Sequence, residues 1–226
     1  MRIGVGIIGW GAIVENLHAP CLSGMEECDL IAVCDNREER LAHANSEYGC
    51  EGYREIDDFL NHPGLDMAVV ALPNFLHGPT GVRVLEAGKN IIIEKPMSFS
   101  LEETDQMLQI AKRKGLVVTT HQNRRWDPYY QEIRRIIDSG QMGKPLMIQS
   151  KHLGGQKEDI QKLPDPPDFP IQSRPFYHNV FATIRGEESL IVTPEQGRRY
   201  VSVADAIVRS ARKHKTITVE WGEEAE

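Results

Sequence analysis

Three short stretches of the chain carry residues whose types and spacing could do chemistry. The first is Gly9-Trp10-Gly11, directly after an apolar run at residues 2–8. A first glycine permits a tight turn, and a second lets the backbone approach a pyrophosphate that rests on a helix N-terminus. Gly9, Gly11, Ala12 and Ile13 are therefore candidate phosphate contacts in a dinucleotide-binding turn. The third fingerprint position is Val14, where glycine or alanine is usual, which predicts a slightly displaced helix. The second stretch ends at Asp35, which closes the apolar run 30–34. A carboxylate there can bond both ribose hydroxyls of an adenosine and repel a 2′-phosphate, so NAD is expected in preference to NADP. Asp35 could also cap the helix that follows, and Arg37 keeps NADP open. The third stretch is Glu94-Lys95-Pro96, a lysine between a carboxylate and a ring-locked residue.

These groups need elements to hold them. Residues 2–8, 30–34, 67–72, 90–93 and 116–120 read as buried strands, rich in Ile and Val and bounded by turn residues. Helical patterns occupy 13–23, 37–47, 56–60, 79–87 and 101–114. Such alternation predicts right-handed βαβ units and a parallel sheet with helices on both faces. The alternation stops near His121. Beyond it, 129–139, 175–185 and 194–212 read as helices and 145–151 and 216–221 as strands, while 154–173 reads as a loop. The fold class is thus α/β, a Rossmann-type doubly wound parallel sheet with a reduced α+β C-terminal region. The expected domains are an NAD(P)-binding unit at 1–121 and a shortened substrate domain at 122–226, whose helices pack back on the first unit.

A longer pattern surrounds the lysine. Ala71-Leu72-Pro73-Asn74-Phe75-Leu76-His77 is followed by Leu85-Glu86-Ala87-Gly88-Lys89-Asn90 and then Glu94-Lys95-Pro96. In this order and spacing the chain resembles the glucose–fructose oxidoreductase / inositol dehydrogenase / MocA (Gfo/Idh/MocA) family. Gln122-Asn123-Arg124-Arg125, Gly143-Lys144-Pro145 and Val192-Thr193-Pro194-Glu195 are similar to it as well. The resemblance implies that Pro73 and Asn74 lie along the cofactor near its nicotinamide end, with His77 close by. It places Lys95 at the nicotinamide and the substrate oxygen, as the catalytic residue. Glu94 would tune that lysine or contact cofactor, and Pro96 would fix the backbone, with a cis peptide as one way to do so. Hydride transfer from an alcohol also requires a proton to leave the same carbon's oxygen, which suits a lysine acting as a base or through its charge. Asn123 and Arg124 are weaker substrate candidates, with capping and ion pairing as the alternative.

The family's second domain is usually a large antiparallel sheet carrying an Asp-x-x-x-His acid/base. The second half of this chain has no such motif, and its nearest histidines are His152 and His178. Three explanations stand open: a cofactor-binding paralogue without catalysis or an NAD(H)-sensing module, a truncated product, or an enzyme working through Lys95. The expected reaction is hydride transfer to or from a sugar, polyol or related hydroxy compound. Bulk properties narrow the partners. A formal net charge of −7 argues against nucleic acid or an anionic membrane. No run approaches the ~20 apolar residues of a membrane span. Cys21, Cys28, Cys34 and Cys50 form no CxxC pair and read as reduced thiols of a cytoplasmic protein. No metal set is expected, and a homo-oligomer is left open.

Overall fold

The structure, a computed structural model, describes residues 2–147, 149 and 169–221. Six parallel strands form one sheet in the order β3-β2-β1-β4-β5-β6. They are β1 (Ile3–Ile8), β2 (Cys28–Cys34), β3 (Glu51–Tyr53), β4 (Met67–Val70), β5 (Asn90–Ile93) and β6 (Val118–Thr120). The chain builds outward from β1 to β3, then crosses back to add β4, β5 and β6 on the other side. This reversal leaves a crevice outside the C-terminal ends of β1 and β4, the usual ligand position in open α/β sheets. β3 is absent from the sequence reading. It is three residues long, Glu-Gly-Tyr, too short to show a period.

Strand side chains alternate between the two faces, and both faces are covered. Met67 and Val69 of β4 enter one core cluster, and Ala68 and Val70 the other. The first cluster packs under α1 (Ala19–Ser23) and α2 (Glu38–Tyr48). The second packs under α3 (Ile56–Leu60), α4 (His77–Glu86) and α5 (Leu101–Lys114). Ser100 caps α5 by accepting from the Glu103 N–H at 3.3 Å, and Gly115 ends that helix at φ 67°.

Past β6 the described residues contain helices and turns only: a 3₁₀ turn (Asn123–Trp126), α6 (Pro128–Asp138), α7 (Phe169–Ile184) and α8 (Pro194–Lys213). α7 adds Phe176, Tyr177, Val180 and Phe181 to the first cluster, while α8 adds Val201 to the second. The two helices thus lie on opposite faces of the sheet. Thr193 and Gln196 form a capping box at the start of α8, and Arg198 grips both oxygens of Asp105 on α5 at 2.5 and 3.0 Å.

Four sequence expectations change. Residues 169–173, expected in a loop, are the first turns of α7, which carries Pro175 inside it and not at its start. Residues 216–221 are not a strand despite their alternating Ile217, Val219 and Trp221: they pair with none of the six strands, and the Glu220 carbonyl accepts from Arg198 instead. Of the strand expected at 145–151, residues 145–147 and 149 are not in a strand and the others lie outside the described residues. The helix expected at 13–23 is not uniform: Val14–His18 is a wider π-helical stretch leading into α1. It begins at Val14, the oversized third position of the glycine turn.

Candidate active site

The glycine turn leaves β1 at Gly9, whose φ of +91° excludes most side chains and whose N–H donates to the Cys34 carbonyl at 2.8 Å. A Cβ on Gly9 would come within 2.7 Å of the Ala71 carbonyl oxygen. A Cβ on Gly11 would meet nothing within 4 Å. Gly11 therefore borders open space at the head of a helix, which is the arrangement a pyrophosphate needs. Ala12 is exposed and Ile13 half-buried beside it.

Asp35 is 6% exposed and bonded at both oxygens. Oδ2 accepts from the Trp10 N–H at 2.7 Å and from Arg40 at 3.1 Å, and Oδ1 accepts from the Arg37 N–H at 3.0 Å. It ties the glycine turn to the end of β2. The helix cap is Arg37, two residues later, so Asp35 supports the turn before α2 instead of capping it. The Arg37 side chain is exposed. Sequence reading missed Arg40; an arginine one turn into the helix after β2 was the available signal.

Pro73 and Asn74 stand exposed after β4. His77 is 1% exposed, with Nδ1 2.7 Å from the Pro96 carbonyl and Nε2 2.8 Å from the Leu72 carbonyl. It pins the loop after β4 to the loop after β5, and both ring nitrogens face backbone oxygens. The Lys95–Pro96 peptide is cis. The Lys95 side chain is 58% exposed, and its Nζ lies 3.6 Å from Glu94 Oε2. A cavity of about 360 Å³ opens beside it, lined by Lys95, Met97, Thr120, Gln122, Gly197 and Tyr200. A larger depression, about 760 Å³, lies between Gly24–Glu27 and α7 and contains none of the candidate residues.

Glu94 reaches into the interior. Its Oε1 accepts from His121 Nδ1 at 2.6 Å and from His18 Nε2 at 3.0 Å. His18 Nδ1 in turn lies 2.5 Å from the Tyr177 hydroxyl. Burial pushes the Glu94 carboxyl up, but the hydrogen bonds from His121 and His18 outweigh it and hold the group well below the usual carboxylate range. Burial pulls His121 down from 6.5 to about 4, so it is neutral at pH 7. Candidate ligand atoms of His18, Glu94 and His121 all lie within 4.8 Å of one another, as a metal site would require. The spacings to Glu94 are hydrogen-bond lengths, however, and shorter than the roughly 3.3 Å between ligands around a tetrahedral zinc. A hydrogen-bonded cluster is the reading that fits.

The weaker candidates have protein partners of their own. Asn123 is buried and its amide donates to Ser173 Oγ at 2.7 Å; Arg124 pairs with Asp127 at 2.9 Å. His178 is a surface partner of Glu27 at 2.6 Å, and His152 lies outside the described residues. One literal Asp-x-x-x-His does occur, Asp58 to His62, but it spans α3 and the turn after it. His62 there bonds the Tyr53 hydroxyl at 2.8 Å, under the β3 edge.

Residues 3–122, just over half of the chain, match the model of an oxidoreductase family with an NAD-binding Rossmann fold, Gfo/Idh/MocA. The chain belongs to this family. Among its Gfo/Idh/MocA relatives is scyllo-inositol 2-dehydrogenase (NADP(+)) of Bacillus subtilis, 29% identical over 140 residues, 62% of this chain and 38% of the relative. Myo-inositol 2-dehydrogenase of Thermotoga maritima is 28% identical over 145 residues, 64% of this chain and 43% of that protein. The chain thus spans well under two thirds of the length of either. Two solved structures share the fold. A Klebsiella pneumoniae protein described as an oxidoreductase superposes with a TM-score of 0.79 at 17% identity, over 98% of this chain and 97% of its own. KijD10, a 3-ketoreductase from Actinomadura kijaniata solved with NADP and TDP-benzene, gives 0.59 at 24% identity, over 62% and 43%.

Proposed function

We propose that this chain binds NAD or NADP across the crevice outside β1 and β4 and uses Lys95 in hydride transfer to or from a polyol, sugar or related hydroxy compound. One observation carries the reading. Gly9, Gly11, Asp35, Pro73, Asn74 and Lys95 all stand at the C-terminal edge of one parallel sheet, spread across the point where its strand order reverses. The turn at Gly9 and Gly11 holds the pyrophosphate, with Ala12 and Ile13 beside it. Asp35 faces the adenosine ribose, and Arg40 screens its charge. Pro73 and Asn74 flank the nicotinamide half, and His77 sets the spacing between their loop and Pro96. When bound, the nicotinamide supplies the hydride donor or acceptor. Lys95 Nζ hydrogen-bonds the reacting oxygen and takes or returns its proton. The inositol specificity of the curated relatives makes cyclic polyols the first substrates to try. We assign the cofactor unit to residues up to about 121, with the later helices closing over it; the buried, unpaired cysteines suit a cytoplasmic setting.

A second reading, a cofactor-binding chain without turnover, is supported by the histidines around Lys95. His18 and His121 are buried and engaged on Glu94, and no Asp-x-x-x-His occurs in the second half. Calorimetric titration with NAD, NADH, NADP and NADPH, followed by a turnover screen over inositols and sugars, separates the readings. Absence of binding to all four nucleotides would sink both. Binding without turnover would favour the second.

A further inference from the structure

The buried cluster behind Lys95 draws on four distant parts of the chain. His18 comes from the π-helical stretch after the glycine turn, Glu94 from the end of β5, His121 from the end of β6 and Tyr177 from α7. The strands fix two of them: the Glu94 N–H donates to the Val70 carbonyl and the His121 N–H to the Ile93 carbonyl, at 2.9 and 2.8 Å. The π-helical stretch fixes the third. Its wider turns displace the residues that follow, and His18, at its end, is fully buried.

One arrangement of protons satisfies all three hydrogen bonds. Tyr177 O–H donates to His18 Nδ1, His18 Nε2–H donates to Glu94 Oε1, and His121 Nδ1–H donates to the same oxygen. His121 is neutral in this pattern, and the Glu94 carboxylate carries the negative charge. Both donors fall on Oε1. The other oxygen, Oε2, is left for Lys95, whose backbone N–H lies at 3.3 Å and whose Nζ lies at 3.6 Å. At its inner end the cluster stops at Tyr177, which is fully buried. His121 Nε2, also buried, has no partner among the described residues. A buried carboxylate this well supplied with donors is fixed in place and cannot rotate toward solvent.

We infer that His18, His121 and Tyr177 are positioning residues that clamp one oxygen of Glu94 so that the other holds the Lys95 ammonium at the mouth of the adjoining cavity. The catalytic part of this inference rests on the oxidoreductase reading; the clamp itself does not. It makes α7, which follows β6 by some distance in sequence, a part of the site through one hydroxyl.

The full chain is labelled with trace acetic anhydride at mildly alkaline pH, without nucleotide. Acetylation of Lys95 is read by mass spectrometry against the exposed Lys112. Glu94→Gln frees Lys95 from its partner and should raise relative labelling about two- to fivefold, the equivalent of a half-exposed ion pair. Tyr177→Phe and His121→Gln should each raise it part of the way. Val180→Ala, which cuts packing on the same face of α7 but removes none of the cluster's hydrogen bonds, should leave it unchanged. Equal labelling in wild type and Glu94→Gln would overturn the inference, as would a rise in Val180→Ala matching that in Tyr177→Phe. If Glu94→Gln does not fold, the Tyr177→Phe and Val180→Ala pair decides alone. Turnover is measured separately: where wild type is active, Tyr177→Phe should lower kcat and leave the cofactor KM unchanged. An inactive wild type would count against the oxidoreductase reading and leave the labelling result standing.

Discussion

The guanidinium of Arg40 lies 3.1 Å from Asp35 Oδ2, at the end of β2 where an adenosine ribose would rest. Asp35 is nearly buried, while about a third of the Arg40 side chain is exposed, so Arg40 can swing toward solvent or toward a phosphate. A bare carboxylate at this position repels a 2′-phosphate; a neutralised one does so much less. Arg40→Ala should therefore raise the ratio of the NADP to the NAD dissociation constant about tenfold, or about 1.4 kcal/mol. Parallel calorimetric titrations check this, and an unchanged ratio would remove Arg40 from cofactor choice. Asp35→Ser should shift the ratio the other way. It also strips acceptors from the Trp10 and Arg37 N–H groups, at a cost of about 1–3 kcal/mol in stability.

Gly11→Val separates ligand binding from folding. Open space surrounds the Cβ position and the backbone there is not left-handed, so the variant should melt within a few degrees of wild type. The added side chain occupies the volume a pyrophosphate needs, and NAD(H) affinity should fall below detection. Gly9→Ala should behave oppositely and lose stability, because it is strained at φ +91° and pressed against the Ala71 carbonyl. Undiminished NAD(H) binding by Gly11→Val would place the nucleotide elsewhere.

Lys95→Ala tests the chemistry. More than half of the Lys95 side chain is exposed, so its removal should hardly change the melting temperature or cofactor affinity. Turnover, where present, should fall by ~10²–10⁴, the usual contribution of a general acid or base. A smaller fall, under about tenfold, would show that another group handles the proton.

Acid should destabilise the fold through His121. Its folded pKa, about 4, lies below the unfolded 6.5 because burial disfavours the imidazolium, and neighbouring His18 and Lys95 add to this against the pull of Glu94. The unfolded chain therefore takes up the proton first. The contribution is fully present above pH 6.5 and is lost as pH falls from 6.5 toward 4, a change of about 3 kcal/mol. Urea midpoints measured across that range should fall for wild type and fall less steeply for His121→Gln. Parallel slopes for the two proteins would show that His121 does not carry the effect.

Much of the frame was legible because its signals are local. Strands β1, β2, β4 and β5 are apolar runs bounded by turn residues, and the glycine turn and Glu94-Lys95-Pro96 stand at strand ends, where a parallel sheet gathers its ligands. Helices α6 and α8 follow amphipathic patterns opened by proline. β3 was too short to carry a pattern, and residues 216–221 carried one without joining the sheet. Asn123 and Arg124 stood between substrate contact and capping or pairing in the sequence; in the fold Asn123 bonds Ser173 of α7 and Arg124 pairs with Asp127.

The sequence by itself determined which residues could take part: glycines for the turn, an aspartate after β2, a lysine after β5. Those choices depend on backbone conformation and on chemistry within a few residues. Only the tertiary structure decided what each would face. Tyr177 lies 159 positions from His18 and yet bonds its ring, and Glu94 meets His18 across 76 positions and His121 across 27. No periodicity links such residues. Their meeting follows from strand order, from the π-helical widening before α1 and from the docking of α7, and each of these is set by the burial of a whole face of the sheet.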